Sequence, residues 1–227
     1  MYKKLKLFVL FSLLTATFSF GQKTATTVTF WVSANDYHIW GNAKYDLQDY
    51  IGAIADYDKA IELQPLGANT YYTRGLAKYN LQDYIGAIAD YTKAINLQPY
   101  LRHSYKDSLR LTPLTFADAY NNRGLAKYDL QDNRGAIADY TKSIELNPDN
   151  VDGYYNRGLA KGNLQDYRGA ISDYTKAIEL QPLADTYEKR GLAKNNLRDL
   201  NGACLDWSKA GELGNSGAYD LIKKYCN

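Results

Sequence analysis

The eleven residues LQDYIGAIADY occur twice without change, at residues 47–57 and again at 81–91, and the two copies lie 34 residues apart. Variants of the same string follow at 130–140 and 164–174. Glycine and proline keep the same step: Gly52 to Gly86 and Gly135 to Gly169 span 34 residues, as do Pro65 to Pro99 and Pro148 to Pro182. Gly169 to Gly202 is 33, a one-residue deletion around Leu183, and Gly86 to Gly135 is 49, which adds an insertion of 15. A fixed period of this length marks an array of one supersecondary unit, each copy burying its apolar faces against its neighbours.

Each unit reads as two helices. In the second copy Tyr71, Gly75, Ala77 and Leu81 lie along the first helix, residues 80–83 make the turn, and Asp83 is placed to cap the second helix. There Ala87, Ile88, Tyr91, Ala94 and Ile95 fall at i, i+1, i+4, i+7 and i+8, a helical stripe and not a strand alternation. Pro99 blocks continuation.

A small residue recurs on the first helix at Gly41, Gly75, Gly124, Gly158 and Gly191, with an aromatic four positions earlier at Tyr37, Tyr71, Tyr120, Tyr154 and Tyr187. The second helix carries alanine, aromatic, alanine, as in Ala87, Tyr91 and Ala94, through to Ala203, Trp207 and Ala210. Pro65, Pro99, Pro148 and Pro182 close the units, and Asn215 replaces proline in the last. This pattern resembles the tetratricopeptide repeat, and the resemblance covers about residues 34–217. It implies an all-α, right-handed α-solenoid of five repeats, at 34–67, 68–101, 117–150, 151–183 and 184–217, with a capping helix over 218–227. Two departures recur. Arg74, Arg123, Arg157 and Arg190 stand where the family has leucine before the glycine, and a lysine stands where it has tyrosine three residues after.

The resemblance also implies a concave groove lined by first-helix residues. The candidates are His38, Asn42, Tyr45, Asn69, Tyr72, Tyr79, Asn121, Tyr128, Tyr155 and Asn163. Tyrosine and asparagine suit an adaptable protein- or peptide-binding surface, although some of these tyrosines could equally pack between adjacent first helices. The family's carboxylate clamp is not reproduced, because the fifth repeat position carries no lysine. With Asp46, Asp118, Asp129, Asp152, Asp185 and Glu188 along the groove, a neutral to basic partner is expected. The function expected is an exported, non-enzymatic scaffold for an extended protein or peptide. The alternatives are a structural part of an envelope or secretion assembly, or recognition of a glycan or cell-wall polymer.

The ends differ from the repeats. Lys3, Lys4 and Lys6 precede an uncharged stretch of 14 residues from Leu7 to Phe20, and Ser19 and Gly21 put small side chains before Gln22. That is the three-part pattern of a cleaved signal peptide over 1–21, and the apolar run falls short of the roughly 20 residues that span a bilayer. Cleavage leaves 24 basic against 25 acidic residues, a balance too even for a dedicated nucleic-acid binder. Residues 22–33 are threonine-rich and read as a poorly ordered lead-in. The insertion at 102–116 carries Arg102, His103, Lys106 and Arg110 against Asp107 alone, with Pro113 expected to end any helix in it. It reads either as a tolerated surface loop or as a basic contact loop. Residues 218–225 set Leu221 and Ile222 against lysines, as a capping helix should.

Nothing in the sequence matches a catalytic or cofactor-binding constellation. Two histidines lack metal spacing, two cysteines exclude a four-thiolate zinc site, and the chain has no phosphate loop or nucleophile elbow. Asp56, Asp90, Asp139, Asp173 and Asp206 recur once per repeat on the packed stripe, so each needs a partner. Because Trp40 replaces arginine only in the first repeat, each arginine is expected to reach back: Arg74–Asp56, Arg123–Asp90, Arg157–Asp139 and Arg190–Asp173. Pairing within a repeat is the alternative. Cys204 and Cys226 come level if their helices fold back about residues 214–216, since both lie roughly 14–15 Å from that turn at about 1.5 Å per residue. They are a candidate disulfide, with two free thiols as the alternative.

Overall fold

The computed structural model describes residues 14–18, 26–30, 32–97 and 113–226. Two short strands come first, β1 (Leu14–Phe18) and β2 (Thr26–Phe30), paired antiparallel with Leu14 opposite Phe30. The lead-in expected to lack order therefore contains a strand. Eleven helices follow among the described residues. They are α1 (Ala34–Asp46), α2 (Tyr50–Leu63), α3 (Ala68–Asn80), α4 (Tyr84–Asn96), α5 (Pro113–Asp129) and α6 (Asn133–Leu146). Then come α7 (Val151–Asn163), α8 (Tyr167–Leu180), α9 (Ala184–Asn196), α10 (Leu200–Glu212) and α11 (Gly217–Tyr225). Consecutive pairs from α1–α2 to α9–α10 are the five repeats, and α11 is the cap.

Each turn inside a repeat is closed by the same device. In the fourth repeat Gln165 takes φ 62° in the left-handed region. This lets Gln165 N–H bond Gly162 C=O and Asp166 N–H bond Lys161 C=O, both at 2.9 Å, a Schellman closure that satisfies the last carbonyls of α7. Asp166 then serves the next helix as its N-cap, accepting from Gly169 N–H at 2.9 Å. One aspartate ends one helix and starts another. Gln48, Gln82, Gln131 and Arg198 repeat the geometry with φ from 61° to 63°, and Asp83 caps α4 as its position predicts.

Packing within a repeat is aromatic against glycine. A Cβ on Gly158 would lie 2.7 Å from the Tyr174 ring, and one on Gly191 would lie 2.6 Å from Trp207. Bare backbone there is what lets the second-helix ring sit flush on the first helix. The rings are deeply buried: Tyr57, Tyr91, Tyr140 and Trp207 are at most 1% exposed.

The chain divides into two units, Met1–Leu66 and Gly67–Asn227. The first holds the strands and the first repeat. In the second, repeats two to five stack as the solenoid, and the insertion does not interrupt the stack. Phe116 joins Ala68, Ala94 and Leu97 in one buried cluster across the second and third repeats. Pro113 opens α5, and the helix end expected before it falls outside the described residues. The first helical position has no intrahelical acceptor to lose, so proline fits there. The rest of the insertion, 102–112, lies outside the described residues.

At the other end α11 lays Leu221, Ile222 and Tyr225 against Ala203, Trp207 and Ala210. Cys204 and Cys226 are joined in a disulfide with Cα atoms 5.9 Å apart. The antiparallel fold-back that makes the two cysteines level is the arrangement found.

Candidate functional site

Within the second unit the first helices α3, α5, α7 and α9 approach one another more closely than the second helices do.

The candidates Asn69, Tyr72, Tyr79, Asn121, Tyr128, Tyr155 and Asn163 lie on these first helices. Tyr79 hydrogen-bonds Asp129 of the next repeat, and Asn122 Nδ2 donates to the Tyr72 hydroxyl at 3.1 Å. Tyr72 and Tyr155 lean on the second-helix rings Tyr91 and Tyr174, with centroids 6.0 Å apart in each case. These two tyrosines are thus partly packing residues, as the competing reading had it. Asn163 donates to Asn133 Oδ1 at 3.2 Å. Oδ1 of Asn121 is buried with no hydrogen-bond partner among the described residues.

The remaining candidates belong to the first unit. Tyr45 stands edge-on to Tyr50 at 5.3 Å, and Asn42 accepts from the Tyr57 hydroxyl at 2.8 Å. His38 is 5% exposed against the Tyr57 ring, so it is part of the core and not of an open wall. Burial holds its imidazole below the ordinary pKa.

The carboxylates fall into two populations. The repeat-periodic set is neutralised, but not by the expected partners. Arg74 pairs with Asp90, Arg123 with Asp139, Arg157 with Asp173 and Arg190 with Asp206, at 2.6–2.7 Å and always within one repeat. Arg74, expected on Asp56, takes Asp90 of its own repeat, and the predicted pairs Arg123–Asp90, Arg157–Asp139 and Arg190–Asp173 are not formed among the described residues. The reason is that arginine and aspartate face each other across the repeat's own two helices. A lysine one turn after the arginine closes on the same carboxylate, as Lys161 does on Asp173 at 2.7 Å.

The arginine does reach the preceding repeat, through threonine. Nη1 of Arg123, Arg157 and Arg190 donates to Thr92, Thr141 and Thr175 at 3.0–3.1 Å. Each guanidinium also lies over the tyrosine three residues before it, 5.3–5.6 Å from the ring centroid. Both departures from the family pattern thus serve one network, tyrosine–arginine–aspartate–lysine, which the sequence signalled by recurrence alone. In the first repeat Trp40 meets Tyr37 at 5.2 Å, and Lys44 pairs with Asp56.

The groove carboxylates differ. Asp118, Asp129, Asp152 and Asp185 have no salt bridge among the described residues. Burial and the nearby Asp152 charge push the Asp118 carboxyl up. For Glu188 burial acts upward, but hydrogen bonds from Lys189 and Asn215 prevail and hold it below its ordinary value.

Tetratricopeptide repeat models match residues 41–82, 68–100, 124–165 and 151–182, together more than half of the chain. The chain belongs to the tetratricopeptide repeat family. Its fifth repeat, α9–α10, lies beyond those matches but carries the same glycine–aromatic contact and the same charge network. Among solved structures, a MamA protein is 25% identical with a TM-score of 0.69, covering 85% of this chain and 94% of that one. MamA from Desulfovibrio magneticus RS-1 is 20% identical with a TM-score of 0.70, covering 81% and 96%. YrrB, titled a TPR protein with an unusual peptide-binding site, is 21% identical with a TM-score of 0.69, covering 85% and 92%. No curated protein matches the chain in sequence. Among the described residues of this repeat protein, no group of three or more His, Cys, Asp or Glu is placed to hold a metal ion, and no helix is long and apolar enough to cross a membrane.

Proposed function

We propose that this repeat protein is an exported, non-enzymatic scaffold that holds an extended, neutral to basic peptide or protein along its first-helix face. One observation carries the reading: the first helices bear four carboxylates that form no salt bridge among the described residues. The five recurrent aspartates each have a cation, whereas Asp118, Asp129, Asp152 and Asp185 make no salt bridge among the described residues. Such a surface attracts a cationic partner and repels an acidic one. YrrB, with the same fold, is described as having a peptide-binding site, and at its level of identity the likeness extends to the fold alone.

Export is supported by the basic head, the apolar run and the small residues before Gln22, and by a disulfide of the kind that persists in oxidising compartments. Cleavage there would remove β1 and leave β2 without its partner. The test is a pull-down from the cell envelope with the exported protein and a Tyr79→Ala, Tyr128→Ala double variant whose fold is checked by circular dichroism. Loss of partner in the variant supports the groove. Equal capture by both would assign binding to another face.

A further inference from the structure

In four repeats the second helix carries isoleucine after its first alanine, at Ile54, Ile88, Ile137 and Ile171, and in the last repeat that place is taken by Cys204. Ile137 packs on the cluster of Ala136, Tyr140 and Ala160 that joins the third repeat to the fourth, and Ile171 on Ala170, Tyr174 and Ala193, which join the fourth to the fifth. After the last repeat comes only α11, nine residues long, with Ala218 buried and Leu221 and Ile222 half-buried. A helix this short is marginal by itself. Cys204 replaces the usual apolar contact with a bond to Cys226, at the C-cap of α11.

The bond is open to approach. Both cysteines are half-buried and line a cleft of about 520 Å³ together with Asn201, Leu205, Ser208 and Ile222. Leu205 is itself a departure. Its counterparts Ala55, Ala89, Ala138 and Ser172 are small and exposed, whereas Leu205 holds a large apolar side chain 73% exposed beside the sulfurs. It lies outside the cluster that α11 covers, so packing of the cap does not account for it.

We propose that the Cys204–Cys226 bond is an exchange site for a dithiol protein that docks on Leu205, and that reduction there unlocks α11 from the end of the solenoid. A thiolate of the partner attacks Cys226 Sγ, the Sγ–Sγ bond breaks, and Cys204 leaves as a thiolate. The partner's second thiol then attacks the mixed disulfide, closes the partner's own disulfide and releases Cys226. Two electrons pass to this chain, and the two protons lost by the dithiol end on the two cysteines. Cys204 is the better leaving group because it lies toward the N-terminal end of α10, where negative charge is favoured, while Cys226 stands at a helix C-terminus. In an oxidising compartment the bond stays closed until such a partner meets it. The inference does not depend on the peptide groove.

The test uses the full chain without denaturant, with dithiothreitol as the small dithiol and thioredoxin as the protein dithiol, and follows free thiols by alkylation and intact mass. Both should open the bond at rates that rise in proportion to dithiol and do not change in low urea, because the sulfurs are reached in the folded chain. Per thiolate, thioredoxin should be at least about tenfold faster. Leu205→Ala, which restores the residue of three other repeats, should slow thioredoxin about tenfold and leave dithiothreitol unchanged. After reduction, amide hydrogen exchange in Gly217–Tyr225 should be at least about tenfold faster. Reduction that begins only where urea unfolds the chain would overturn the site. Slowing of both dithiols by Leu205→Ala, or of neither, would overturn the docking on Leu205. Hydrogen exchange in α11 that is unchanged by reduction would overturn the lock.

Discussion

Arg157 holds Asp173 in a two-point grip, with Nε and Nη2 at 3.0 and 2.7 Å from the two carboxylate oxygens. The aspartate side chain is only 4% exposed, so this grip and Lys161 are what allow a charge to remain there. Replacing Arg157 with methionine should cost about 2–3 kcal/mol, less than the roughly 3–5 kcal/mol of a fully stranded buried charge, because Lys161 stays. Arg157→Lys should recover less than half of the loss, since an ammonium cannot make the two-point contact. Urea unfolding of the three proteins reads both outcomes.

Gln165 occupies left-handed backbone at φ 62°, where a Cβ is strained. Gln165→Gly should stabilise the chain by about 0.5–1 kcal/mol, and Gln165→Val should destabilise it by at least as much. Glycine costs entropy in the unfolded chain, so a null result would mean that this cost cancels the relief of strain. Thermal melts of the single variants are sufficient.

Gly158→Ala puts a methyl group 2.7 Å from a ring that is 3% exposed. Overpacking of this kind should cost about 1–3 kcal/mol. The paired variant Gly158→Ala, Tyr174→Leu should lose less than the sum of its parts, which a double-mutant cycle measures.

His38 gives a pH dependence. Its imidazole is held by burial below the ordinary value of 6.5, so the folded chain favours the neutral form. As pH falls below 6.5 the unfolded chain takes up the proton first, and the contribution to stability is lost until the folded-state pKa is passed. The melting temperature should therefore drop as pH falls below about 7, and His38→Phe should flatten that drop.

The period, the two-helix unit, the capping aspartates and the level cysteines were all legible, because each depends on residues close in sequence. The charge pairing was not. In an exact repeat, a step of 16 residues forward and one of 18 back recur equally well, so periodicity cannot distinguish Arg157–Asp173 from Arg157–Asp139. Only the facing of two helices decides it. Left-handed glutamine in the turn was similarly hidden, since glycine is the residue that normally announces that backbone. Asn121 was open to view as a departure, since the second and fourth repeats carry Tyr72 and Tyr155 at its position.

The Cys204–Cys226 bond has a mechanical consequence. A pull on the C-terminal end of this chain is carried to α10 at Cys204 and does not peel α11 away first. The chain from Cys204 to Cys226, a separation of 22 positions, is withheld from extension, about 75 Å of slack at roughly 3.4 Å per residue. Under tension the array must begin to yield at some other element, and reducing the bond adds that slack as a separate lengthening step.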